Sequence, residues 1–129
     1  MVVRKSLKTS KRNEFVNITS LVQNALSESN SSDGFITVYV PHTTAGVTIN
    51  ESADPDVVYD ILNHLEKMVP PNKGYAHIEG NADAHIKSSL VGCSITVPYE
   101  NGKLLLGTWQ GIFFCEFDGP RNRKLIIQM

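Results

Sequence analysis

The spacing of apolar residues along this chain switches between a helical and a strand-like rhythm, and each switch marks an element. Residues 6–19, SLKTSKRNEFVNIT, mix charge with alternating apolar positions and read as an edge strand. Ile18, Leu21, Val22, Ala25 and Leu26 then recur at helical spacing. A helix therefore starts near Asn17 or Thr19, and the turn residues of SESNSSDG end it. FITVYV, residues 35–40, is β-branched and aromatic and predicts a strand. In PHTTAGVTINES, residues 41–52, His42, Thr44, Gly46, Thr48 and Asn50 alternate with Ala45, Val47 and Ile49. That alternation predicts a strand whose polar face lines a wet cleft.

The clearest helical pattern is ADPDVVYDILNHLEKMVPP, residues 53–71. Asp54 suits the N-cap and Pro55 the first helical position. Val58, Ile61, Leu62, Leu65 and Val69 form an apolar stripe, and Pro70–Pro71 stop the helix. His64 falls on the opposite, exposed side with Asp56, Asp60 and Lys67. In HIEGNADAHIKSSLVG, residues 77–92, Asn81 or Asp83 can cap a short helix that closes at Gly92. The remainder reads as strands: CSITVPY, a turn at Asn101–Gly102, a long strand KLLLGTWQGIFFCEF interrupted at Gly107 and Gly111, and RKLIIQM. About seven strands and three helices result, with most strands adjacent in sequence. The expected fold is α+β: one compact domain over residues 1–129, its antiparallel sheet closed into a barrel or barrel-like sandwich.

Composition narrows the function. A formal net charge of −1 gives no global basic field to suggest nucleic acid. The basic runs are Arg4–Arg12 and Arg121–Lys124. Two cysteines, Cys93 and Cys115, are too few for a disulfide framework or a structural zinc cluster, and they read as two buried free thiols. No stretch approaches the roughly 20 apolar residues of a membrane span, and no signal core opens the chain. A soluble, cytoplasmic setting without membrane or nucleic-acid partners is expected.

Candidate chemistry gathers in three places. His42, on the polar face, and His77 and His85, in the 77–92 segment, are imidazoles that could converge as metal ligands or shuttle protons. The start of the 82–91 helix, with Lys87, Ser88 and Ser89, could cradle a phosphate, joined by Arg121 and Arg123. Asp83 at that helix start opposes an anion unless a cation lies between, and a diphosphate carried with Mg²⁺ resolves the conflict. Glu116, inside an apolar run, needs a partner and is a general acid–base candidate. Thr44 and Asn50, sharing a face with His42, and Gln110, sharing parity with Glu116, are expected substrate contacts.

With these residues in view, PHTTAGVTINESADPDV, EGNADAHIKSSLVG and GKLLLGTWQGIFFCEFDGPR resemble the three signature blocks of the YjbQ family, many of whose members are labelled secondary thiamine-phosphate synthase. The match runs from about residue 4 to residue 128, with HTTA where the family often has HTSA. The resemblance implies a homotrimer and a cleft where His42, His77 and His85 gather around a divalent metal, zinc or magnesium. Glu51, Asp83, Glu116 and Arg121 would lie nearby. It implies joining a pyrimidine diphosphate to a thiazole phosphate with release of pyrophosphate. In that reaction His85, Asp83 and Glu116 would be catalytic, and Lys87, Ser88 and Arg121 would hold phosphate. Another transferase or a hydrolase of a small phosphorylated substrate, and a non-catalytic metal or phosphometabolite binder, are the alternatives.

Overall fold

The computed structural model describes residues 1–129. Eight strands and three helices follow the order β1 (Val2–Lys8), β2 (Glu14–Asn17), α1 (Thr19–Ser29), β3 (Gly34–Tyr39), β4 (Ala45–Glu51), α2 (Pro55–Met68), α3 (Ala82–Val91), β5 (Ser94–Glu100), β6 (Lys103–Leu104), β7 (Gln110–Glu116) and β8 (Asn122–Gln128). All pairings are antiparallel. They build two sheets, a five-stranded one ordered β1-β8-β3-β5-β6 and a three-stranded one ordered β2-β7-β4. The α+β antiparallel reading holds, as two facing sheets. The segment read as one edge strand is two strands in different sheets, because the chain reverses at residues 9–13, where the Glu14 carboxylate accepts from the Ser10 and Lys11 amides.

Strand β7 organises the core through its alternation. Ile112 and Phe114 face the main core, with Ile36, Val38, Leu125, Ile127, Ile18 at the N-cap of α1 and the α1 residues Val22, Ala25 and Leu26. Phe113 and Cys115 face the other way, toward Ala84 of α3 and the Val58, Leu62 and Leu65 stripe of α2. The small sheet is thus a middle layer, with α2 and α3 on one side and the large sheet on the other. With both faces covered, β7 is buried from Gly111 to Glu116, and the polar face expected along it is absent. Its predicted continuation from residue 103 is also broken: β6 ends at Leu104, and residues 105–109 form a turn in which Gly107 N donates to Gln110 Oε1 at 2.8 Å.

Local chemistry places the ends. Asp54 caps α2 by accepting from the Asp56 amide at 2.9 Å, with Pro55 at the first helical position. Asn101 and Gly102, at φ 52° and 72°, make the β5–β6 hairpin. Asn30 closes α1 with φ 57°. No helix is long and apolar enough to cross a membrane.

Candidate functional site

The site forms where the chain passes between the two sheets. Residues 40–44 leave β3 of the large sheet for β4 of the small one, and residues 117–121 return from β7 to β8. Beyond Tyr39, β3 no longer pairs with β8, which leaves the Lys124 amide without a strand partner. His42 fills that gap: its Nε2 accepts from the Lys124 N–H at 2.9 Å. The lone pair at Nε2 is therefore used, and the ring proton sits on Nδ1. Burial, then the nearby Arg123 charge, hold the His42 pKa below its ordinary 6.5, so the ring is neutral at pH 7.

Beneath His42 lies a buried ion pair. Glu116 follows the parity of Ile112 and Phe114, and Arg123 that of Leu125 and Ile127, so the two meet at one end of the space between the sheets. Arg123 donates from Nε to Glu116 Oε1 at 2.8 Å and from Nη2 to Glu116 Oε2 and to Thr44 Oγ1, the last at 2.9 Å. The Thr9 hydroxyl donates to Glu116 Oε1 at 2.7 Å, and the Phe117 and Asp118 amides donate to Oε2 at 3.0 Å each. Burial raises the Glu116 pKa, but the hydrogen bonds from Arg123, the Asp118 amide and Thr9 outweigh it and hold the carboxyl below its ordinary range.

A cleft of about 400 Å³ opens above this pair. Its lining has no hydrophobic residue and includes His42, Thr44, Asn81, His85, Asp118 and Arg121. Arg121 donates from Nε to the Asp118 carbonyl at 2.7 Å and from Nη2 to the Asp118 carboxylate at 3.0 Å, which leaves other N–H groups of its fork without a protein partner. Asn81 donates to the same carboxylate at 3.0 Å, while its own buried Oδ1 has no partner. A second hollow of about 480 Å³, lined by Ser88, Ser89 and Cys93, whose thiol is exposed and not buried as expected, shares His42, Thr43 and His85 with the first.

The expected residues divide accordingly. His42, Thr44, His85 and Arg121 line the cleft, and Ser88 lines the adjoining hollow, its hydroxyl donating to the Thr43 carbonyl at 2.6 Å. Asp83 and Lys87 do not reach it. Both are sealed under α3 at 1% side-chain exposure, where Asp83 pairs with Arg12 and with Lys87, and Lys87 also pairs with Glu66 of α2. Glu116 has both oxygens engaged and is not an available acid or base. Asn50 and Gln110 sit at the far end of the small sheet, where Glu51 pairs with Gln110, about 20 Å along β4 from the cleft.

The three-histidine metal centre does not fit this geometry. No group of three or more His, Cys, Asp or Glu side chains is arranged to hold a metal ion. His77 meets His85 edge-on at 5.3 Å between ring centroids and leans toward Glu79 at 3.6 Å, while the lone pair of His42 is already taken. Oxygen donors suited to magnesium are present in the cleft: Asn81 Oδ1, Asp118 and Glu79. Thr9, which helps organise the floor, was not singled out by pattern, and Arg123, expected as a phosphate donor, instead spends its donors on Glu116 and Thr44.

A profile of the YjbQ family, described as UPF0047 protein YjbQ-like, matches residues 4–129. A UPF0047 protein of Methanocaldococcus jannaschii is 57% identical over 129 residues, covering 100% of this chain and 94% of its own. YugU of Bacillus subtilis is 52% identical over 124 residues, 95% of this chain and 94% of its own. A crystal structure of a YjbQ/UPF0047 protein from Clostridium acetobutylicum superposes with a TM-score of 0.96 at 57% identity, covering 98% of both chains. One from Sulfolobus solfataricus, titled a protein of unknown function, does so at 0.94 with 32% identity over 98% of this chain and 94% of its own. The fold, the signature segments and these relatives agree: the chain belongs to the YjbQ family.

Proposed function

We propose that the cleft binds a small phosphorylated substrate and that the chain is a transferase of the thiamine-phosphate synthase kind. A thiazole-phosphate nitrogen would attack the methylene of a pyrimidine diphosphate; the C–O bond to the diphosphate breaks, and pyrophosphate leaves. The observation that carries this reading is a cleft lined, Pro41 apart, by polar and charged residues, in which the open N–H groups of Arg121 and the Nδ1–H of neutral His42 are both available to anionic oxygens. Both donors are fixed before substrate arrives, one by Asp118 and one by the Lys124 amide. His85, shared by the two hollows, is the group available for proton transfer. Magnesium accompanying the diphosphate would be held by Asn81, Asp118 and Glu79 and would neutralise charge on the leaving group.

One observation favours a second reading, a binding protein without turnover: the buried carboxylate of the site is saturated with donors and cannot act as a base. Pyrophosphate release from the two co-substrates with Mg²⁺ decides between them. The transferase reading expects turnover that falls at least about a hundredfold in His85→Ala with melting temperature kept. Saturable phosphate binding without turnover would establish the binder, and full activity in His85→Ala would remove the site assignment.

A cytoplasmic homotrimer is the proposed setting. Its support is the exposure of Tyr59, Ile78, Leu90 and Trp109, at 64%, 94%, 57% and 62%, together with two free thiols. A solution mass equal to the 14.3 kDa monomer would exclude the trimer.

A further inference from the structure

The net charge of −1 conceals a sharp separation. Of the twelve Lys and Arg residues, five lie in residues 4–12 and three in residues 121–124, and residues 1–13 and 121–129 contain no Asp or Glu. The fold brings these stretches together, because β1 and β8 pair along their full length, Val2 with Gln128 through Lys8 with Asn122. Arg12, Arg121 and Arg123 are paired with Asp83, Asp118 and Glu116, so the unpaired charge on this ribbon is that of Arg4, Lys5, Lys8 and Lys124.

That ribbon is shaped. Its outer face holds a groove of about 430 Å³ lined by Ser6, Lys8, Asn122 and Lys124, with Leu7 and Arg123 between them. Lys8 and Lys124 are exposed, and neither takes part in any of the chain's ion pairs. A smaller depression of about 230 Å³, lined by Lys8, Thr9, Pro120, Arg121 and Asn122, joins the groove to the cleft. Lys8 and Asn122 belong to the groove, Arg121 belongs to the cleft, and Arg123 lines both larger spaces. The groove, the depression and the cleft are thus linked through shared lining residues, with Lys8, Arg121 and Lys124 as donors along them.

We propose that the β1–β8 groove is a second anion subsite, which takes the phosphate of a second phosphorylated small molecule while the cleft takes the first. This rests on the reading of the cleft as a phosphate site and adds the place of the co-substrate. The lining argues for a small molecule over a nucleic acid strand. The groove has a volume in the size range of metabolite sites, and no aromatic side chain lines it to stack a base. A two-substrate condensation needs both reactants held at once, and a path linking the two hollows through Arg121 provides it.

Backbone-amide NMR of the full chain, titrated with inorganic phosphate and then with pyrophosphate, tests this. Two saturable sets of shifts are expected, one at Ser6, Lys8 and Lys124 and one at Thr43, His85 and Arg121. Lys8→Gln with Lys124→Gln removes two exposed charges and keeps the Lys124 amide that holds His42. It should weaken the groove set about tenfold or more and leave the cleft set within about twofold. Ser6→Asp, a single surface change in the groove floor, should do the same and guards against a folding defect in the double variant. Groove amides that do not saturate, or that are unaffected in both variants, overturn the proposal. So does a single-stranded oligonucleotide that saturates the groove where phosphate does not. Loss of the cleft set alone would overturn the cleft reading and leave the groove standing, so the two failures are distinguishable.

Discussion

Replacing Glu116 with Gln keeps the shape of the floor and removes its charge. Arg123 would then be an unpaired cation at 5% side-chain exposure, and the new amide would turn its NH2 toward donors on one side, either Thr9 and Arg123 Nε or Arg123 Nη2 and the Phe117 and Asp118 amides. Breaking one partner of a buried pair costs about 3–5 kcal/mol. Glu116 is at 0% exposure, so little solvent screening reduces that figure. For a chain of 129 residues the entropy of unfolding makes 1 kcal/mol equivalent to about 4 °C, so the melting temperature should fall by about 12–20 °C. Urea unfolding followed by circular dichroism, at one fixed protein concentration, reads the loss directly. The wild-type curve should carry the pH signature of the same pair. Glu116 titrates lower when folded than unfolded, so its stabilisation is complete above the ordinary carboxyl pKa of 4.5 and disappears as pH falls through the folded value. A loss under about 1 kcal/mol in Glu116→Gln, or no acid-side loss of wild-type stability beyond that of the variant, would refute the account of the floor.

Two further outcomes follow from the same region. The His42 ring should be neutral with its proton on Nδ1, and its titration midpoint should lie below 6.5; since the folded state binds that proton less readily than the unfolded one, stability should decline as pH drops from 6.5. Nitrogen-15 chemical shifts of the imidazole check both points, and a midpoint at or above 6.5 or an Nε2–H tautomer would contradict them. Gly119→Ala should destabilise by about 1–3 kcal/mol and weaken phosphate binding, because its Cβ would stand 2.1 Å from the Lys11 carbonyl oxygen and 2.9 Å from both the Glu116 side chain and the Thr9 hydroxyl. Calorimetric melting and phosphate titration of that variant decide it, and unchanged values in both would show that residues 117–121 can move aside freely.

How much of the fold was legible follows from which periodicities survive burial. Helix α1 buries one stripe and α2 half-buries one, so their spacing could be read directly, as could the turn residues of SESNSSDG after α1 and Asp54 and Pro55 before α2. The hairpin at Asn101–Gly102 was equally plain, because two successive positive φ angles leave few residue choices. Strand β7 failed as a pattern for the opposite reason. A strand covered on both faces has no alternation to display, so the parity that placed Gln110 and Glu116 on one wet face described a surface that does not exist. Likewise the alternation from His42 to Asn50 runs across a strand boundary: His42–Thr44 belong to the crossing segment, and only residues 45–51 form β4.

The site was half legible because its parts are joined by chain crossings and not by spacing. His42, His85 and Arg121 could be named because histidine and arginine are chemically conspicuous wherever they stand. Their geometry could not be named. It depends on β3 separating from β8 just before His42, and on Thr9, a residue with no motif, bonding both Arg121 and Glu116 from more than 100 residues away. Lys87 and Asp83 show the converse. Both are the right residue types at a helix N-terminus for holding a phosphate or a metal, yet Glu66 of α2 and Arg12 of the β1–β2 turn arrive to neutralise them, and the ions become a clamp between α2 and α3. A charged residue near a helix start becomes a ligand only if no other element reaches it first, and that depends on tertiary placement. Here the competition left Arg121 with open donors and Lys8 and Lys124 with no carboxylate at all, which is why the anion path runs along the paired chain termini and not along α3.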